Sequence, residues 1–192
     1  MTKLIGLFLI LASLLGLSGG AYADVIADWN ERAVNAGNTA RVGNFPTARN
    51  IAMVHLAMFE ALNSIEPRYI PYRARISTDP AASRDAAAAG AAHGVLVRVY
   101  PAQTAELDKA LQVSLAAVPD GSPKAQGLQL GHQAAAAMLA ERSNDGLDAP
   151  NTYRPFTVAG KYVPTVFPIG SSTAGVKPFS LKSGNQLRPD SR

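Results

Sequence analysis

The sequence of 192 residues contains no cysteine. That excludes a disulfide framework, a thiolate zinc or iron–sulfur site, a cysteine nucleophile and a lipid-modified cysteine after a leader. Aromatic residues are few, at 7%, and charged residues make up only 17%. No two histidines lie four apart, so the His-Glu-x-x-His zinc arrangement is missing. Three residues past Glu31, Glu60, Glu66, Glu106 and Glu141 stand Val34, Asn63, Tyr69, Lys109 and Asn144. The Glu-x-x-His pairs of a carboxylate-bridged di-iron bundle are therefore absent too. There is no Gly-x-Ser-x-Gly elbow and no glycine-rich phosphate loop ending in Lys-Ser or Lys-Thr.

Alanine is plentiful, with 34 copies, and apolar residues reach 47%. Alanine favours helix and buries little area per side chain. The expectation is an all-α fold, a helical bundle of about five helices followed by a long irregular Pro-rich strap.

The chain divides into three parts. Residues 1–23 read as a signal peptide: Lys3, an uncharged apolar run from Leu4 to Leu17, a Ser18-Gly19-Gly20 break, and Ala21-Tyr22-Ala23 for the peptidase. The run is shorter than the roughly 20 residues that span a bilayer, and no later segment is both long and uncharged enough to span. The expectation is a periplasmic or secreted chain starting at Asp24, with no transmembrane anchor after cleavage.

Residues 24–147 read as the helical bundle. Helices are expected over Asp24 to Ala36, stopped by Gly37-Asn38, and from Pro46-Thr47 to just before Pro67. A third is expected to be started by Asp79-Pro80 and to run from Ala81 to about Tyr100. A fourth opens at Pro101 and ends at Pro119-Asp120-Gly121, and a fifth runs from Ser122-Pro123 to about Arg142. Pro67 to Pro80 reads as an ordered loop laid over the bundle. Gly90 and Gly94, and Gly127 and Gly131, are pairs spaced four apart, which suits helices packed closely together.

Residues 148–192 lose the helical pattern. Prolines at 150, 155, 164, 168, 178 and 189 alternate with Tyr153, Phe156, Tyr162, Val163, Phe167 and Phe179. A disordered linker carries fewer aromatics, so this segment reads as an extended strap toward a missing catalytic half. The formal net charge of +4 resides here: residues 151–192 carry +5 and residues 24–150 carry −2. The basic charges are scattered among prolines and glycines, so no nucleic-acid partner is expected.

Polar residues inside apolar helices invite a site reading. On an ideal helix Glu60 lies about 140° and Asn63 about 80° from His55, so the three share no narrow face. His55, His93 and His132 each stand alone in a helix. His55, Glu60 and Asn63 read as satisfied polar residues of a bundle, and no catalytic, cofactor-binding or metal-ligating residue is assigned.

Taken in order, several stretches resemble the bacterial vanadium-dependent haloperoxidase-like proteins of the type-2 phosphatidic acid phosphatase superfamily. They are Ala48 to Asn63, Pro67-Arg68-Tyr69-Ile70-Pro71-Tyr72, Ala81 to Pro101, Tyr153-Arg154-Pro155, Tyr162-Val163-Pro164-Thr165, and Lys177 to Pro189. The tryptophan often found before Pro-Phe is absent from Ser171-Ser172-Thr173-Ala174-Gly175-Val176. The resemblance implies two related helical bundles and a site that holds vanadate, or phosphate as substrate, with a lysine, two arginines, a Ser-Gly-His and a further histidine. No Pro-Ser-Gly-His occurs here. Lys182 and Arg188-Pro189 imitate the family's first anion-binding motif with five intervening residues instead of six. One residue turns a helix by about 100°, so they are not read as a half site.

The resulting expectation is the N-terminal helical part of an exported haloperoxidase- or phosphatase-like protein, truncated before its anion-binding motifs and inactive alone. Its partner would be the missing C-terminal catalytic half or a further copy in a homo-oligomer. The alternative is a stand-alone secreted helical interaction module that has lost catalysis.

Overall fold

The computed structural model describes residues 24–73, 76–160, 162–166 and 168–189. The leader assigned to residues 1–23 lies outside them. Among the described residues there are five α-helices and no strand: α1 Val25–Ala40, α2 Asn44–Ile65, α3 Arg84–Val99, α4 Thr104–Ala116 and α5 Ser122–Glu141. Short 3-10 turns cover Pro101–Gln103 and Ser171–Gly175. No described helix is long and apolar enough to cross a membrane.

The core is built on α3. Ala86 to Ala89, Ala91, Ala92, Val95 and Leu96 are fully buried, between Met53, Val54, Ala57, Met58 and Ala61 of α2 and Leu130, Ala134, Ala135 and Met138 of α5. The glycines set how close α3 and α5 come. A Cβ on Gly131 would sit 2.3 Å from the Ala87 carbonyl oxygen and 2.6 Å from the Ala91 nitrogen. One on Gly127 would sit 2.3 Å from the Ser83 carbonyl oxygen, and one on Gly94 would meet the Ala135 Cβ at 2.7 Å. Backbone meets backbone along this seam, which only missing side chains permit.

Several helix boundaries differ from the sequence expectation. At α4, Pro101 opens a 3-10 turn and the α-helix itself covers only Thr104–Ala116. α1 does not stop at Gly37-Asn38. It continues to Ala40 and ends at Arg41 in the left-handed region, φ 53°. Gly37 is there for contact: a Cβ would lie 2.4 Å from Thr47 Cγ2 of α2. Asp79-Pro80 makes a turn, not a helix start. The Asp79 carboxylate accepts from the Ala81 N–H at 2.8 Å, but the cap of α3 is Ser83, whose Oγ accepts from the Ala86 N–H at 3.3 Å. The Ser83 N–H is tied to the Pro123 carbonyl at 2.8 Å, so the start of α5 fixes where α3 begins. At α5 the proline sits in the first turn as expected, but the cap is Gly121, φ 142°, with no side-chain hydrogen bond.

The loop after α2 is laced to that helix by its buried polar side chains. The Asn63 side-chain carbonyl accepts from the Arg68 and Tyr69 N–H groups at 3.0 and 2.9 Å, and its amide donates to the Tyr69 carbonyl at 2.9 Å. Glu60 Oε1 accepts from the Arg73 N–H at 2.9 Å, and Ser64 Oγ from the Ile76 N–H at 3.1 Å. Beyond α5 the only regular element among the described residues is the turn Ser171–Gly175.

The α3–α5 seam gives a direct test. Gly131→Ala should cost about 1–3 kcal/mol despite alanine's better helix preference, because backbone atoms must move. Gly175→Ala, with nothing within 4 Å of the added carbon, should change stability by less than about 0.5 kcal/mol. Urea unfolding of the two variants checks both.

Candidate functional site

Three polar assemblies stand out, and the sequence reading named residues in two of them. The first lies where α5 ends. Asp145 is in the Asn144-Asp145-Gly146 turn, and its carboxylate is 2% exposed. Oδ2 accepts from Arg49 Nε of α2 at 2.6 Å and from an Arg142 terminal nitrogen at 2.8 Å, while Oδ1 accepts from the Leu147 N–H at 3.2 Å. The Arg142 side chain is wholly buried. Its guanidinium also donates to the carbonyls of Lys177 at 2.7 Å and Pro178 at 3.3 Å, and lies 4.0 Å from the Phe179 ring centroid. Arg49 spends its other donors on the Arg142 carbonyl and on Asn50 Oδ1, both at 3.0 Å. The Asn50 amide in turn donates to the Tyr100 hydroxyl at 3.1 Å.

Around this knot the chain beyond α5 is pinned. The Lys177 N–H donates to the Asp145 carbonyl at 2.7 Å, and the Tyr72 hydroxyl donates to the Phe179 carbonyl at 2.6 Å. Lys177 Nζ and the Arg73 guanidinium both pair with Glu141 at the surface. The Lys177 hydrogen bond, helped by the charges of Arg73, Lys177 and Arg142, outweighs desolvation and holds the Glu141 carboxyl below its usual range. Burial pushes Asp145 up, but the Arg49 and Leu147 hydrogen bonds and the two guanidinium charges outweigh it and leave the carboxyl low.

Two buried arginines converging on one point have the make-up of an anion clamp. Here the protein's own carboxylate already occupies the point of convergence, and other donors go to the Arg142, Lys177 and Pro178 carbonyls and to Asn50 Oδ1, leaving Arg142 Nε buried with no partner among the described residues. The arrangement secures the chain after α5. It offers no open oxyanion position.

The second assembly joins four helices. His93 of α3 has Nε2 2.7 Å from Asp108 Oδ1 of α4. Its ring lies edge-on to Trp29 of α1 at 6.3 Å and 6.0 Å from His132 of α5, centroid to centroid. Trp29 is fully buried and its indole N–H donates to Ser114 Oγ at 3.2 Å. His93 Nδ1 is buried with no partner among the described residues. Burial, and then the neighbouring His93 charge, pull the His132 imidazole below its usual 6.5. No described group of three or more His, Asp or Glu side chains is placed to hold a metal ion.

The third is a cleft between α1, α2 and the following loop, with a cavity of about 320 Å³. His55 reaches it, with Nε2 2.9 Å from Asn30 Oδ1. His55, Glu60 and Asn63 have different hydrogen-bond partners, although His55 and Asn63 both line this cleft. Lys182 and Arg188 sit in an exposed turn, and neither side chain meets a partner among the described residues.

No family model, curated protein or solved structure matches this chain. Its own geometry therefore carries the functional reading.

Sequence reasoning missed Arg49, Arg142 and Asp145. Asp145 lies in the turn that follows α5, and the Arg49–Asp145 contact joins residues 96 apart. The available signal was Arg49 itself, a charge at the start of a strongly apolar helical run.

Asp145→Asn leaves two buried cations uncompensated and should destabilise by about 3–5 kcal/mol, measured by chemical unfolding. Because the folded-state pKa of Asp145 is depressed, its contribution is complete above the usual 3.8 and is lost as the pH falls through the folded value. The acid limb of the stability curve should be flatter in that variant. His132 acts at higher pH. Its lowered pKa means that the unfolded chain binds more protons, so stability should decline on acidification from 6.5 downward. His132→Gln should reduce that decline, followed through the single tryptophan, Trp29.

Proposed function

We propose that this chain is the N-terminal helical part of an exported protein of the vanadium-dependent haloperoxidase and acid phosphatase type, and that it is inactive by itself. The residue order that resembles the family is one support. The observation that carries the reading is the state of the chain beyond α5. Nine large apolar side chains between Tyr153 and Leu187 are exposed, among them Phe156 at 68%, Tyr162 at 82% and Ile169 at 98%. So much apolar surface concentrated in one segment marks a surface that pairs with another. In this reading it meets the catalytic half, which would supply the lysine, arginines, Ser-Gly-His and histidine that grip vanadate or phosphate. Arg49 and Arg142 are committed to Asp145.

Stabilisation of a developing oxyanion needs preorganised donors. The isolated chain should therefore show neither halide oxidation with vanadate and peroxide nor hydrolysis of a phosphate monoester. Turnover in either assay that disappears in Lys182→Gln or Arg188→Gln would overturn the proposal. A reading frame continuing past the codon for Arg192 into Pro-Ser-Gly-His would support it directly.

One observation favours the alternative, a stand-alone secreted module. Lys177 to Phe179 is docked by partly buried hydrogen bonds without any further domain. Limited proteolysis separates the two. The fragment reading expects rapid cleavage between residues 150 and 170 and strong binding of an apolar dye. The module reading expects resistance and a monodisperse, dye-free protein.

A further inference from the structure

We propose that the cleft between α1, α2 and the loop after α2 binds a small aromatic monocarboxylate. The inference is independent of the functional reading above, because none of the cleft's residues belongs to the segment beyond α5. Its volume, about 320 Å³, is at the lower end of small-molecule pockets, about 300–1,000 Å³.

The cleft has an apolar body. Ile26 of α1 and Leu62 of α2 line it, and Phe59 and Tyr69 supply two rings with centroids 6.2 Å apart and planes tilted by 43°. Tyr69 stands on a loop, yet its backbone is fixed, since three hydrogen bonds with the Asn63 side chain hold residues 68 and 69 against the buried end of α2. The ring pair is thus a prepared surface, and aromatic ligands suit it by offset or edge contacts.

At the mouth, two guanidiniums share one carboxylate. Arg68 Nε donates to Glu66 Oε1 at 2.6 Å, a second Arg68 nitrogen reaches the same oxygen, and Arg84 donates to Glu66 Oε2 at 2.9 Å. The trio carries a surplus of one positive charge. A guanidinium has five N–H donors, and Arg84 spends only one of them on an acceptor among the described residues. A carboxylate is the group that takes such a fork in pairs. Asp24 and Asp85 line an adjoining cleft on the other side of Arg84. With their two charges the five side chains sum to −1, so there is no long-range attraction for an anion, and recognition rests on direct hydrogen bonds at the mouth and suits a monoanion better than a dianion.

The test uses the isotope-labelled chain and three probes: 3-phenylpropanoate, its uncharged amide, and phenyl phosphate. The acid should give saturable chemical-shift changes centred on the backbone amides of Asn63, Arg68 and Tyr69. The amide should bind about tenfold more weakly, and phenyl phosphate no better than the acid. Arg84 is an exposed side chain, and Arg84→Gln should keep the native spectrum while weakening the acid about fivefold or more. Tyr69→Ala should weaken the acid and the amide alike. Four results would overturn the proposal: no saturation at millimolar acid, shifts centred elsewhere, equal affinity for acid and amide, or an Arg84→Gln chain that binds as before. Tighter binding of phenyl phosphate would overturn the assignment of the charge class.

Discussion

The carboxylate of Asp145 lies out of water between Arg49 and Arg142, and the arrangement of everything after α5 depends on it. Desolvating three charges is costly, and such a group persists only where every charge is paired and the remaining donors are used. The structure meets that condition almost completely. Arg49 brings in α2, Arg142 brings in the end of α5, and the carbonyls of Lys177 and Pro178 bring in a segment more than thirty residues further on. A purely apolar contact among the same elements would hold them together but would not fix which carbonyl meets which donor. Phe179, laid over the Arg142 guanidinium, adds an apolar lid to the same point.

The bundle itself is organised differently. Its centre is made of alanine and glycine, so little area is buried per residue, and cohesion comes from how closely the helix axes approach. Ala87 and Ala91 of α3 meet Gly131 of α5 through backbone atoms. Larger side chains, Trp29, Met53, Met58, Leu96 and Leu130, fill the space around that seam. The two modes divide the work: small residues set helix spacing, and buried charge sets the course of the chain that leaves the helices.

Much of the fold was legible in the sequence because it is written in local signals. Alanine content and apolar spacing indicated five helices, proline and glycine bounded most of them, and the glycine pairs pointed to a close seam. The errors share one cause. Gly37 and Asp79 were read as punctuation from their own neighbours, whereas contacts from elsewhere decide where these helices end and begin: Thr47 requires the glycine, and Pro123 fixes the start of α3. The polar assemblies were less legible for the same reason. His55, Glu60 and Asn63 could be separated by helical phase alone, but nothing local to Arg49 announces a carboxylate almost a hundred residues away. Nor does anything near His93 announce Asp108, which reaches it from the next helix after an intervening turn.

The hydrogen bond from the Lys177 N–H to the Asp145 carbonyl closes residues 146–176 into a surface excursion whose two ends lie side by side. The entropy of closing such a loop grows only with the logarithm of its length, about 0.6 kcal/mol per doubling. The bundle is therefore nearly indifferent to how long this excursion is. Sequence could be added or removed there over evolution, or by grafting, with the helices hardly registering the change, provided both ends return to the same buried carboxylate.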